Sequence, residues 1–193
     1  MTSPRVNAGS ARGTRLLSVP GDTTRPSTDR VKEALFNILG ADLLDATFFD
    51  LFSGTGSVGI EALSRGARFA RLNDLDRAAV DTIKANLEKT HLSARAEVLQ
   101  TDVFALLKRR PDRAFDYIYI APPQYKELWV RALHDLDANP AWIKADTWVI
   151  VQIDPVEYQP QTLHHLSEFH QRKYGSTLLV FYEAIIRGNS DKE

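Results

Sequence analysis

The sequence predicts an α/β protein with a doubly wound, Rossmann-like sheet that is mostly parallel and closes with an antiparallel C-terminal strand. From residue 46, short β-rich runs alternate with amphipathic helical patterns, which is typical of a parallel sheet covered by helices on both faces. After residue 153 this alternation stops. The turn residue Gly175 then precedes a last β-rich run at residues 177–186, and two strands joined by a tight turn are antiparallel.

The predicted elements follow one another with short links. Apolar residues at helical spacing over residues 31–39 predict an opening helix, which Ser27 or Thr28 would cap. The predicted strands then span residues 47–52, 69–74, 96–101, 115–120 and 147–153. The predicted helices between them span residues 56–65, 76–89, 104–108 and 127–136.

The composition is that of an ordinary globular protein, since 44% of the 193 residues are apolar and 25% are charged. The chain has no cysteine, which excludes disulfides and thiolate metal sites. Its five histidines follow no metal-ligand spacing, so we expect no bound metal. No apolar run is long enough to span a bilayer and no signal peptide opens the chain, so we expect a cytoplasmic protein without a membrane partner.

The N-terminal residues 1–26 predict a basic arm or a small hairpin, which precedes the main domain at residues 27–193. The first twenty residues include Arg5, Arg12 and Arg15 and no acidic side chain, although the whole chain has a net charge of −1. A basic segment on a nearly neutral domain can contact nucleic-acid phosphates. The alternative interpretation is a solvated terminus that binds nothing.

A glycine-rich loop follows the first predicted strand. Gly54, Gly56 and Gly59 have the spacing G-x-G-x-x-G and lie where the strand gives way to a helix. Glycines at such a position permit a tight turn and let the main chain approach a ligand closely. The motif in this place therefore predicts a site for a nucleoside-containing cofactor.

Three aspartates end the first three predicted strands. Asp50, Asp74 and Asp102 should lie at one edge of the sheet, where ligands bind in folds of this class. Asp74 can accept hydrogen bonds from both hydroxyls of a ribose, which serves NAD and S-adenosylmethionine equally. Asp102 can accept a hydrogen bond from an adenine amino group, or it can cap the helix that follows.

A pair of prolines follows the fourth predicted strand, in the run Tyr119-Ile120-Ala121-Pro122-Pro123-Gln124-Tyr125. Two prolines fix the backbone of the turn and make it stiff. A stiff turn at the carboxyl end of a strand can hold a planar base against a methyl donor. The simpler interpretation is that the prolines only end the strand.

These motifs together resemble a known family. Methyltransferases that act on exocyclic amines of bases have Asp/Asn-Pro-Pro-aromatic at the position of this proline pair. More specifically, residues 25–37 resemble the opening helix of the RsmD family of small-subunit (16S) rRNA guanine-N2 methyltransferases. Residues 50–67 resemble its cofactor loop and helix, and residues 173–177 with Tyr182-Glu183 resemble its closing hairpin. The resemblance covers about residues 5–187.

The resemblance implies an enzyme that transfers a methyl group from S-adenosyl-L-methionine to the exocyclic N2 of a guanine in 16S rRNA, within an assembling small ribosomal subunit. It also implies a monomer whose basic arm contacts rRNA phosphates. It assigns cofactor binding to Asp50, Phe52, Ser53, Gly54, Gly56, Ser57, Asp74, Leu75, Asp102 and Val103. It assigns the catalytic turn, which would receive the guanine, to Ala121, Pro122, Pro123 and Tyr125.

Two residues of the catalytic turn depart from the family pattern. Ala121 stands where an Asp or Asn would accept hydrogen bonds from the amine, and Gln124 stands where an aromatic ring would stack on the base. Tyr125 is one position later and can take the stacking role. Three alternatives stay open: backbone carbonyls accept instead, another side chain such as Asp154 accepts instead, or the chain is a non-catalytic relative that binds S-adenosylmethionine or RNA. Ordinary turn chemistry also explains Asp154.

Overall fold

The structure, a computed structural model, describes residues 3–21 and 29–185. Its helices are α1 (Asp29–Leu39), α2 (Ser57–Ser64), α3 (Arg77–Lys89), α4 (Val103–Leu107) and α5 (Leu128–Ala138). Its strands are β1 (Thr47–Asp50), β2 (Phe69–Asp74), β3 (Ala96–Gln100), β4 (Phe115–Ile120), β5 (Ile143–Ile153), β6 (Leu166–Tyr174) and β7 (Thr177–Ala184). The proposed caps of α1, Ser27 and Thr28, lie outside the described residues.

The seven strands form one sheet in the order β3-β2-β1-β4-β5-β7-β6. Strands β1 to β5 pair in parallel, whereas β7 is antiparallel to both β5 and β6. The predicted fold class is therefore confirmed. The strand order reverses between β1 and β4, which creates the kind of switch point where ligands bind in doubly wound folds.

The two largest differences from the predicted elements concern strands near the edge of the sheet. The first is β6, which occupies the polar residues before Gly175, where no strand bounds were predicted. The second is β5, which begins at Ile143, four residues before its predicted start at residue 147. Strand β6 lies at the edge; of its nine residues only Leu166 is buried, and most of the others are polar. An edge strand with so few apolar residues gives little of the alternation on which a sequence-based prediction depends.

Both faces of the parallel region are buried. In β1, neighbouring residues belong to two different core clusters: Phe48 lies on the face covered by α1, α2 and α3, and Phe49 on the face covered by α4 and α5. Burial on both sides is why the central strands read as continuous apolar runs. Among the described residues, no helix is long and apolar enough to cross a membrane.

Residues 3–21 form a small hairpin that packs on the first of these two faces. Arg5 and Arg15 form an isolated antiparallel bridge, and the Val6 and Leu16 side chains beside them are buried in the core. Arg5, Arg12 and Arg15 are all exposed. The segment therefore contributes apolar side chains to the domain core and arginines to its surface.

Candidate functional site

The glycine loop and the proline turn leave the sheet side by side. Strands β1 and β4 are paired with Asp50 opposite Tyr119, and the Leu51 amide donates to the Tyr119 carbonyl at 3.0 Å. The loop after β1 and the turn that begins at Ala121 are thus neighbours at the switch point of the sheet. This places the predicted cofactor residues next to the predicted base-binding residues.

The glycines of the loop have different roles. Gly54 and Gly56 have positive φ angles of 55° and 79°, which side-chain-bearing residues rarely adopt. A Cβ on Gly59 would lie 2.7 Å from a methyl of Leu72, so this glycine lets α2 pack against β2. A Cβ on Gly54 would meet no atom of the described residues within 4 Å, so on this side, where a ligand is expected, they leave the loop uncovered.

Asp50 is buried at the end of β1, and its Oδ1 has no hydrogen-bond partner within the described part of the chain. Burial raises the pKa of Asp50 to about 7, and the nearby Asp74 charge adds to this effect, although the Phe52 amide opposes it. A buried carboxylate oxygen without a donor is costly. A ligand with a cationic amino group would supply that donor, so the residues present fit the amino-acid end of S-adenosylmethionine.

Asp74 is held at the rim by main-chain donors. Its two oxygens accept from the Gly54 amide at 2.8 Å and the Asp76 amide at 3.0 Å. Asp76 itself caps α3 by accepting from the Ala78 amide. The next residue after Asp74, Leu75, exposes 69% of its surface, so it offers an uncovered apolar side chain beside the carboxylate.

For Asp102 the sequence allowed two roles, contact with an adenine amino group or capping of the next helix, and the structure contains the helix cap. Its side chain accepts from the Phe104 amide at 2.9 Å and so begins α4. The cap uses Oδ1 of an exposed side chain, and Val103 beside it is buried. Phe52 packs edge-on against Phe104 at 6.3 Å between ring centroids. The predicted contacts of Asp102, Val103 and Phe52 with an adenine stay predictions.

Asn73 was not singled out from the sequence, yet it joins three strand ends. Its Nδ2 donates to the carbonyls of Leu51 and Thr101, and its main-chain carbonyl accepts from the Ser53 amide at 2.8 Å. The Ser53 hydroxyl donates to the Asp50 carbonyl. These bonds hold the loops after β1, β2 and β3 in fixed relative positions, which a rigid ligand site requires.

A buried ion pair lies beneath the cofactor loop and was also missed. Lys32 Nζ donates to the Ser57 hydroxyl at 2.9 Å and lies 3.4 Å from the Glu61 carboxylate, and both charged side chains are fully buried. Desolvation lowers the pKa of Lys32, while the Glu61 charge opposes this. The Ser57 side chain is therefore directed toward α1. A lysine at helical spacing from Leu35 and Leu39 was the sequence feature that could have revealed it.

The N-terminal hairpin is tied to the same loop. The Asn86 side chain accepts from the Leu17 amide at 2.7 Å and donates to the Thr55 carbonyl at 2.9 Å. The amides of Asn7 and Ala8 donate to the Glu61 carboxylate at 2.9 and 3.1 Å. Residues 3–21 therefore buttress the cofactor loop from outside the sheet.

The proline turn has an unusual backbone. Ala121 is half-buried against the core, whereas Pro123 and the next residues are exposed. Tyr125 and Glu127 have φ angles of 62° and 52°, in the left-handed region that bulky residues avoid. Such conformations cost on the order of 1–3 kcal/mol each and are concentrated at functional sites.

Tyr125 is held by two carboxylates from beyond the end of β5. Its hydroxyl donates to Asp154 Oδ2 at 3.2 Å, and its amide donates to Glu157 Oε1 at 2.7 Å. The hydrogen bond to Asp154 raises the pKa of the Tyr125 hydroxyl. Asp154 also accepts from the Val156 amide, so the expected turn chemistry is present as well. Glu157 was not foreseen.

The arrangement combines two neighbouring parts. One is a glycine loop beside a buried carboxylate oxygen that has no partner among the described residues, and the other is a stiff turn with an exposed aromatic side chain. Residues 3–21 and 29–185 contain no group of acidic and histidine side chains that could hold a metal ion. The geometry suits transfer of a group from a bound cofactor to a flat ligand on the turn.

The chain is similar to one family of proteins over almost its whole length. The sequence model of the family described as conserved hypothetical protein 95 matches residues 4–183. YlbH of Bacillus subtilis (strain 168), provisionally named an rRNA methyltransferase, is 35% identical over 93% of this chain and 98% of its own length. Ribosomal RNA small subunit methyltransferase D of Escherichia coli (strain K12) is 29% identical over 98% of this chain and 94% of its own. The solved structure of the Escherichia coli methyltransferase candidate yhhF matches with a TM-score of 0.83 at 29% identity, over 94% of this chain and 97% of that one.

Proposed function

Since the chain belongs to the RsmD family, the group described as conserved hypothetical protein 95, we propose that it is an S-adenosylmethionine-dependent rRNA methyltransferase. Its substrate is the exocyclic N2 of a guanine in 16S rRNA, in a small ribosomal subunit that is still assembling in the cytoplasm. The protein acts as a monomer.

The proposal rests above all on Asp50. Its Oδ1 is buried and unpartnered within the described chain, next to the open side of the glycine loop. S-adenosylmethionine supplies an electrophilic methyl group and also has the cationic amino group that this oxygen needs. On this proposal the loop from Ser53 to Ser57 surrounds the methionine part, Asp74 accepts from the ribose, and Asp102 with Val103 contacts the adenine.

The turn after β4 receives the guanine. The prolines Pro122 and Pro123 keep its carbonyls in place, and Tyr125 offers an exposed ring for stacking. The amine of a base is a poor nucleophile because its lone pair is delocalised into the ring. An acceptor on the protein that orients this lone pair therefore favours the transfer.

A second candidate function is binding without chemistry, and Ala121 favours it. A methyl side chain cannot accept a hydrogen bond, so the acceptor expected at this position is missing. On this alternative, the protein binds S-adenosylmethionine or rRNA and transfers no methyl group.

Calorimetric titration with S-adenosylmethionine, followed by transfer of labelled methyl to small subunits from cells that lack the enzyme, separates these functions. We expect binding and transfer, with Asp74→Ala weakening the binding and the remote Asp146→Ala leaving it unchanged. Binding without transfer would support the second candidate. Failure to bind the cofactor would overturn the proposed function and would leave, of the second candidate, only the binding of rRNA.

A further inference from the structure

The structure contains a hydrogen-bond acceptor close to the turn that lacks one. We propose that the Asp154 carboxylate, presented together with the Tyr125 ring, binds the exocyclic amine of the target base in place of residue 121. This inference rests on the proposed function, because it identifies the acceptor for that reaction.

The pairing of β4 with β5 brings Asp154 to the turn. The two strands are parallel, with Ile120 opposite Val151 at their carboxyl ends. Asp154 is three residues beyond Val151, just as Pro123 is three residues beyond Ile120. Both segments therefore leave the same edge of the sheet next to each other.

The conformation of the turn then joins Tyr125 to Asp154. The left-handed backbone at Tyr125 directs its side chain toward the end of β5, where the hydroxyl donates to Asp154 Oδ2. Glu157 holds the Tyr125 amide at 2.7 Å and also accepts from the Asp154 amide at 3.2 Å. Tyr125, which lies one position after the expected aromatic residue, is thus fixed beside the Asp154 carboxylate. That carboxylate offers the acceptor that the Ala121 side chain cannot provide.

This pair remains accessible to a ligand. Tyr125 exposes 68% of its surface, so its ring can stack on a base. Asp154 uses Oδ1 for the Val156 amide at 3.0 Å, while Oδ2 accepts a longer, exposed bond of 3.2 Å from the tyrosine hydroxyl. A bond of 3.2 Å at the surface exchanges easily for one from a ligand amine, because water can take over the released hydroxyl.

The chemistry balances without another reactant. A hydrogen bond from the amine to Asp154 Oδ2 orients the amine and reduces the delocalisation of its lone pair into the base, so that the pair, which lies normal to the ring, is available to the methyl donor. As the new N–C bond forms, the S–C bond breaks with its electron pair left on sulfur. The amine proton then leaves to Asp154 and from there to water.

Rates of methyl transfer to small subunits from cells lacking the enzyme test this role. In Asp154→Asn the single amide oxygen keeps the cap on the Val156 amide, so an NH2 group, which cannot accept a hydrogen bond, replaces Oδ2. We expect its rate to fall about a hundredfold, as for other lost transition-state contacts, while calorimetric binding of S-adenosylhomocysteine stays unchanged. The matched control is Asp146→Asn, at the opposite end of β5, which should transfer methyl at the wild-type rate.

A suppressor variant separates a role at the base from a structural one. Ala121→Asn restores an acceptor on the turn, so in the Asp154→Asn background it should recover at least tenfold in rate. A damaged fold would not be rescued in this way. Wild-type rates in Asp154→Asn, or no recovery in the double variant, would overturn the assignment of Asp154 alone. A wild-type protein that binds the cofactor but transfers no methyl would overturn the proposed function and this inference with it.

Discussion

At the scale of single residues, Asp50 makes the site dependent on pH. Burial and the Asp74 charge raise its pKa to about 7, whereas the value in the unfolded chain is 3.8. Between these two pH values the folded protein keeps a proton that the unfolded chain loses, so stability falls as pH rises through this window. This difference in pKa corresponds to a stabilisation of the folded protein by at most roughly 4 kcal/mol at low pH. The stabilisation is lost completely once the pH exceeds 7.

Asp50→Asn should therefore stabilise the ligand-free protein at pH 8 and have little effect at pH 4. The amide has no charge to desolvate, but it cannot pair with a cationic amino group, so the variant should also lose affinity for S-adenosylmethionine. Thermal melting of both proteins at the two pH values, with and without the ligand, measures this. A variant that melts at or below the wild-type temperature at pH 8 would contradict the assignment.

Two glycines with the same backbone conformation separate ligand contact from backbone strain. Gly54 and Gly175 have φ angles of 55° and 57°, and at either position a Cβ would meet no atom within 4 Å in the part of the chain that the structure describes. Alanine should cost about 1–2 kcal/mol of stability at both positions, as expected for the left-handed region. Only Gly54→Ala should weaken calorimetric binding of S-adenosylmethionine, by tenfold or more. Equal affinities of the two variants would place the ligand elsewhere.

The residues missed at this scale share one property, which is that their partners are distant in sequence. Asn86 contacts Leu17, 69 positions away, and Asn73 contacts Thr101, 28 positions away. Asp50, Asp74 and Asp102 could be predicted because each ends a strand, and strand ends converge in any parallel sheet. No local pattern shows which amide or lysine will brace such an edge.

At the scale of elements, the central strands could be predicted because they are buried on both faces. Strand β6 could not, because most of its residues are polar, unlike those of β3 at the other edge. The hairpin at residues 3–21 lies between these cases. It buries only a few isolated apolar side chains, such as Val6 and Leu16, whereas the apolar Leu17 is exposed among polar residues. Its docking depends instead on hydrogen bonds to α2 and α3, and these involve Glu61 and Asn86.

The Lys32–Glu61 pair should hold α1 and the hairpin against α2. Lys32→Met removes the cation beside the buried Glu61 carboxylate. We therefore expect the free energy of unfolding to fall by about 3–5 kcal/mol. The matched control is Arg77→Met, since the Arg77–Asp81 pair is 3.9 Å long with both side chains largely exposed. Such a pair contributes at most about 1 kcal/mol. Urea unfolding measures the free energy of unfolding of both variants. Similar losses in Lys32→Met and Arg77→Met would contradict a structural role for the buried pair.

At the scale of the whole molecule, the fold gathers its functions at the carboxyl ends of the strands, on both sides of the switch point. The cofactor loop after β1 and the turn after β4 are neighbours, and the end of β5 adds Asp154 to the turn. The hairpin supports the same loop from the first face through Asn86. A ligand bound to the hairpin would therefore contact a segment that is joined to the cofactor loop.

The exposed arginines of the hairpin are where we expect rRNA phosphates to bind. Deleting the segment would expose the core, because Val6 and Leu16 are buried, so charge substitutions test the idea better. Each phosphate contact adds about 0.7–0.9 to the slope of log K against log salt. Arg12→Gln/Arg15→Gln should therefore flatten the salt dependence of binding to a 16S rRNA fragment by about 1.5.

The control is Arg109→Gln/Arg110→Gln, which removes two exposed arginines after α4, on the other face of the sheet. This variant changes the net charge by the same amount, so a general electrostatic effect would alter both slopes equally. A flatter slope for the hairpin variant alone would place the phosphates on the face that supports the cofactor loop. Equal slopes in the two variants would mean that the arginines of residues 3–21 act only through net charge, and that the hairpin serves the core and the loop rather than the rRNA.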